Sequence, residues 1–88
     1  MTKERLKQLE DNNTFGQESL GKNAYEELAE GLLILNKYPG RKHIGAEHDV
    51  LYVGDSEVLE QMSEQDCRTM LLLGWHWSKH IDCWATFI

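Results

Sequence analysis

The chain is short of most of what a membrane protein, a secreted mini-protein or a nucleic-acid binder requires. No apolar run exceeds four residues, as at Leu32–Leu35, whereas a bilayer-crossing helix takes roughly 20. Cys67 and Cys83 are the only cysteines in 88 residues; they exclude a multi-bridge disulfide framework, and free thiols are expected. There is no CxxC pair. Gly40 and Gly45 bracket Arg41-Lys42-His43-Ile44 without the strand, glycine-rich loop and helix that cradle a phosphate. Bases are scarce as well: nine Lys and Arg stand against fifteen Asp and Glu, a net charge of −6. Nucleic-acid binders neutralise phosphates with Lys and Arg clusters, and the one basic cluster here, Arg41-Lys42-His43, is too small for that, so direct nucleic-acid binding is not expected. The opening segment, MTKERLKQLED, has no apolar signal core, which makes the cytoplasm the expected location.

What is present suits one small domain. The apolar share is 41% and there are eight aromatic residues, ordinary for a globular chain and too high for a disordered one. A chain of this length buries one core, so residues 1–88 form a single domain. Residues 2–11 are helix-permissive, with Leu6 and Leu9 as their apolar pair. Residues 12–22, NNTFGQESLGK, read as a loop with Phe15 and Leu20 as apolar anchors. Asn23 followed by Glu26 is a capping pair, and Pro39-Gly40 a stop, which predicts a helix at about 24–37 with Tyr25, Leu28, Leu32 and Leu35 on its inner stripe. Gly31 within it is read as a site of close backbone approach.

Asp49–Val53, β-branched and aromatic and closed by Gly54-Asp55, predicts a strand at about 48–53. Its alternation puts Val50 and Tyr52 on one face and Leu51 and Val53 on the other, so both faces are apolar. Ser63 with Asp66 opens a helix at about 64–73 ended by Gly74; residues 56–62 fit either an extension of it or a separate turn. The closing stretch LGWHWSKHIDCWATFI reads as a hairpin, strands at 75–78 and 83–87, with Trp75 and Trp77 on one face and His76 on the other. The architecture that follows is α+β: a three-stranded antiparallel sheet, the last strand central, with two or three helices on one face.

The residues that carry chemistry divide into three sets. His48, His76, His80 and Cys83 are of zinc-ligand type, but their spacing matches no standard pattern, and no metal or other cofactor is expected. A thiol enzyme would use Cys67, near a helix N-terminus, or Cys83; Cys67 reads more simply as a small space-filling core residue. The third set is a surface. Residues 55–66, DSEVLEQMSEQD, hold five acids and no base. Asp55, Glu57, Glu60, Glu64 and Asp66 surrounding Val58, Leu59 and Met62 suggest apolar anchors within an acidic rim, an epitope for a basic protein partner. The alternative is a solvated acidic helix start.

Taken in succession, AEHDVLYVGD, SEQDCRTMLLLGWHW and DCWATFI resemble small acidic proteins encoded by bacteriophages and mobile elements, in which a strand of the HDVLYV kind precedes a short helix ending in LGW and a terminal W-x-x-F segment. The resemblance covers about residues 43–88. It implies the host cytoplasm and an anti-defence role of the kind played by anti-CRISPR proteins, which occupy protein surfaces that normally take nucleic acid; it carries over no functional residue. The expected function is thus a non-enzymatic protein-binding module, an inhibitor or accessory factor acting through an acidic surface. The alternatives are a metal-dependent or thiol enzyme, and a structural subunit or homodimer joined through an open sheet edge.

Overall fold

The computed structural model describes residues 1–11, 23–40 and 44–87. Loop 12–22, with Phe15 and Leu20, and the basic cluster Arg41-Lys42-His43 lie outside the described residues. The first helix, α1 (Lys3–Asp11), buries Leu6 and Leu9, as their spacing predicts. Its ion pairs, Lys3–Asp82 at 2.8 Å and Arg5–Glu64 at 2.6 Å, join side chains that are each about half exposed. Such pairs contribute about 0–1 kcal/mol, against roughly 1.5–3 kcal/mol for burying one leucine. The leucines, more than the charges, hold α1 in place.

The second helix, α2 (Ala24–Asn36), starts at the predicted cap: Glu26 N–H donates to Asn23 Oδ1 at 3.0 Å, and Asn23 N–H donates to Glu26 Oε1 at 3.4 Å. Its inner stripe keeps Leu28, Leu32 and Leu35 of the predicted set but not Tyr25. Gly31 and Leu35 are buried, Leu28, Leu32 and Ile34 pack against the core, and Tyr25 is 86% exposed. The cause is Trp75. A Cβ on Gly31 would stand 2.2 Å from Trp75 Nε1, so the helix turns its glycine to the indole and rotates Tyr25 outward. What approaches closely is a ring, where the sequence suggested a backbone.

The sheet has four strands, one more than expected: β1 (Ile44–Glu47), β2 (Val50–Asp55), β3 (His76–Ser78) and β4 (Cys83–Phe87), all antiparallel in the order β1-β2-β4-β3. The last strand is next to both β2 and β3, as predicted. The additional strand pairs with β2 across the two-residue turn His48-Asp49, with His48 at φ 55°. That left-handed residue is usually Gly, Asn or Asp in hairpin turns, and IGAE carries weak strand formers, so neither turn nor strand announced itself. His48 and Asp49 consequently form the turn and not the start of β2. Between Val53 and Asp55 the register shifts by a bulge at Gly54, φ 73°, where the left-handed backbone suits glycine.

Two short helices separate β2 from β3. Asp55 caps α3 (Ser56–Gln61) by accepting from Val58 N–H at 3.2 Å, and Ser63 caps α4 (Glu64–Leu72) by accepting from Asp66 N–H at 3.1 Å. Residues 56–61 are therefore a helix of their own. The core gathers Leu6, Leu9, Leu35, Val58, Leu59, Met62, Met70, Trp75, Trp77 and Trp84. Trp84 is fully buried, meets Trp77 edge to face at 5.8 Å and donates its indole N–H to Met62 Sδ at 3.2 Å. All four helices contribute to this cluster, so they cover the sheet face that carries Trp77 and Trp84. Among the described residues, no helix is long and apolar enough to cross a membrane.

The Gly31–Trp75 contact makes a test against propensity. Alanine outranks glycine by about 1 kcal/mol in a helix, but overpacking costs about 1–3 kcal/mol. Gly31→Ala should lower the thermal midpoint measured by circular dichroism; a raised midpoint would mean that α2 does not lie on Trp75.

Candidate functional site

The histidines and cysteines disperse. His48 sits in the β1–β2 turn with its side chain 88% exposed, and His80 is exposed in the β3–β4 turn. His76 lies on the sheet face opposite the core tryptophans, stacked on Phe87 at 5.3 Å between ring centroids; burial holds its pKa below the usual value, so it is neutral at pH 7. Cys83 lies on that same face, across from Asp55 and Ser78. Among the described residues, no group of three or more His, Cys, Asp or Glu is placed to hold a metal ion. The four candidate ligands, His48, His76, His80 and Cys83, thus do not converge.

Both thiols are free. Burial pushes Cys67 up to about 11, so the helix-start position that suggested activation is overridden by its apolar surroundings. Cys83 is raised by burial and then by the carboxylates of Asp55 and Asp82.

The acidic run corrects the expected epitope most. Val58, Leu59 and Met62 are 1–3% exposed; they are core residues, because α3 turns its apolar side onto β2 and Trp84. Three of the five acids are engaged within the chain. Asp55 caps α3. Glu64 pairs with Arg5 and Arg68. Asp66 accepts a short hydrogen bond from the Tyr38 hydroxyl and pairs with Lys37 Nζ at 2.7 Å. Only Glu57 and Glu60 stand exposed without a side-chain partner among the described residues. Residues 55–66 therefore brace α1 and α2 against α4, and a reversal of Glu64 or Asp66 would act on stability first.

A different surface meets the description of apolar anchors with acidic neighbours. Cross-strand pairing places Gly45, Glu47, Val50, Tyr52, Asp55, His76, Ser78, Cys83, Ala85 and Phe87 on the second face of the sheet, and none of them is Lys or Arg. Phe87 is 72% exposed, with Val50 and Tyr52 partly so. Trp84 of the same sheet faces the core instead. A cavity of about 350 Å³ opens on this face, lined by Gly45, Glu47, Tyr52, Asp55, Ile81 and Cys83 among others. A second cavity of about 360 Å³ runs between α1 and the β3–β4 turn. Its Lys3, Lys7 and Lys79 alternate with Glu4, Glu10 and Asp82, which leaves it no single sign of charge. The signal for the open face was present in the alternation of β2 and the hairpin; what hid it was the composition of 55–66, where charge density drew attention to a segment whose apolar half is buried.

The chain matches no family model, no curated protein and no solved structure.

Two measurements check these assignments. Neither thiol should react with iodoacetamide in the native protein at pH 8 at a rate approaching that in denaturant; native-rate labelling of Cys83 would contradict its burial and raised pKa. For Asp66, burial raises the pKa, but the bonds from Lys37 and Tyr38 outweigh it and the net value lies below the ordinary 3.8. A depressed carboxylate contributes stability that is present above its unfolded pKa and lost as pH falls through the folded value. Asp66→Asn should cost about 1 kcal/mol at pH 7, roughly 4–8 °C in a domain this size, and less at pH 2.5 than at pH 7. An equal deficit at both pH values would show that the carboxylate charge is not what stabilises.

Proposed function

We propose that the protein is a non-enzymatic binding module whose open sheet face takes a basic protein partner, acting as an inhibitor or accessory factor of the phage-encoded acidic class. The observation that carries this reading is the composition of that face: Tyr52, Val50 and the largely exposed Phe87 lie beside the carboxylates of Glu47 and Asp55, with no Lys or Arg among them. Aromatic anchors with charge at the rim are what binding surfaces use, the anchors for affinity and the charge for steering and partner choice. A chain with net charge −6 is attracted to basic surfaces at long range. A protein surface that ordinarily takes a phosphate backbone has that character, which is why inhibition by occupancy fits an acidic binder. Host cytoplasm is the compartment that goes with this reading.

The homodimer alternative has less support. β1 is an open edge with Ile44 63% exposed, but two copies of an acidic chain repel each other, and β1 carries Glu47.

The test uses a blocked octapeptide alternating valine and lysine, titrated into isotope-labelled protein and followed by amide shifts. Val50, Tyr52, Ala85 and Phe87 should respond, and Phe87→Ser should weaken binding about tenfold, a loss typical of an anchor residue. Reversal of Glu57 and Glu60 to Lys should change affinity less than about twofold, as expected for peripheral charges. Shifts centred on 57–60, with binding lost on that reversal, would overturn the assignment of the surface.

A further inference from the structure

We infer that the cavity between β1, β2 and the β3–β4 turn is a subsite for a single arginine side chain of the partner. The inference rests on the binding reading above and specifies which chemical group that face recognises. At about 350 Å³, the cavity is at the small end of ligand sites, room for one side chain. Its lining is chemically directed. Asp55 is fixed in position by the cap it forms, one carboxylate oxygen accepting from Val58 N–H at 3.2 Å, which leaves the other oxygen for an incoming donor. Glu47, in the exposed edge strand, adds a second carboxylate to the lining, with His48 Nε2 3.9 Å from it.

Tyr52 and Ile81 also line the cavity. The Cys83 thiol, 9% exposed, lines the cavity without a hydrogen-bond partner among the described residues; it is a weak acceptor placed where a donor would arrive. An aromatic side chain in one lining with a fixed and an exposed carboxylate suits a guanidinium, which is planar, stacks on aromatic faces and presents parallel N–H donors to a carboxylate. A lysine ammonium would use the charge but not the plane. The apolar continuation of the face towards Val50 and Phe87 suits the residues that flank an arginine in a peptide, and a free polyamine would leave it bare.

The cavity exists because residue 45 is glycine. Gly45 is the cross-strand partner of Tyr52, and a Cβ there would meet nothing closer than Tyr52 Cβ at 3.9 Å. A side chain at this position therefore fits the strand and fills the cavity. Strand propensity favours valine over glycine, so the position gives up stability that a larger residue would supply, and the space it keeps open is the consequence.

The experiment titrates blocked Val-Arg-Val tripeptide into isotope-labelled protein, with norleucine and lysine analogues and spermidine as comparisons. The arginine peptide should shift the amides of Gly45, Tyr52, Asp55 and Cys83; the lysine peptide should bind more weakly, and the norleucine peptide and spermidine should leave those amides unmoved. Gly45→Val should abolish the response with a thermal midpoint equal to or above that of the unsubstituted protein. Asp55→Asn, which retains an N-cap of similar quality, should weaken binding at least about threefold, the loss of a charge-assisted bond. An equal response to norleucine or spermidine, or unchanged binding in both variants, overturns the subsite. If the valine–lysine octapeptide still binds the sheet face in that case, the surface reading stands and only the subsite falls. If no basic peptide binds, both fall together.

Discussion

Trp84 is the constraint on which the other elements depend. It lies in β4, one of the two inner strands, is fully buried, packs edge to face with Trp77 and reaches Met62 through its indole N–H. Truncation of a buried tryptophan costs about 3–5 kcal/mol, a large share of the roughly 5–15 kcal/mol that a domain possesses in total. With four strands and four helices in so short a chain, there is one core, and it lies where this indole points. All four helices are drawn to that face. The other face carries Ala85, Cys83 and Phe87 from the same strand, the first two buried and Phe87 largely exposed.

Three acids near the helices are used in construction: Asp55 caps α3, while Glu64 and Asp66 tie α4 to Arg5 of α1 and to Lys37 and Tyr38 beyond α2. On the hairpin side Asp82 likewise ties down α1 through Lys3, while Glu47 lies on the second sheet face beside Tyr52 and Val50, its carboxylate 3.9 Å from His48 Nε2. Asp55 belongs to both sides, capping α3 with one oxygen while standing on the open face opposite Cys83.

Much of this was legible in the chain. The Asn23–Glu26 and Ser63 caps act locally, through atoms three residues apart, and both helices begin where they predict. The central place of CWATF followed from its apolar character, and the alternation of Trp75, His76 and Trp77 correctly separated core from open face. The failures have a common origin in tertiary contact. Gly31 reads as a site of close approach, but only the fold shows that an indole ring, not a backbone, lies against it. Val58, Leu59 and Met62 looked exposed because acids surround them in sequence, whereas in a helix of one and a half turns the acids and the apolar residues point to opposite sides. β1 was missed because His48 adopts the left-handed turn without being glycine or asparagine, and because Gly45 and Ala46 carry no strand signal.

The central claim is that a basic partner meets the sheet face and not the acidic helices. Site-specific photocrosslinking addresses it most directly, with benzoylphenylalanine placed singly at position 87 and at position 57 and irradiated in the presence of an arginine-rich peptide. The account predicts adducts from position 87 that are competed away by excess unlabelled peptide, and none above background from position 57. Adducts from position 57 alone would contradict it.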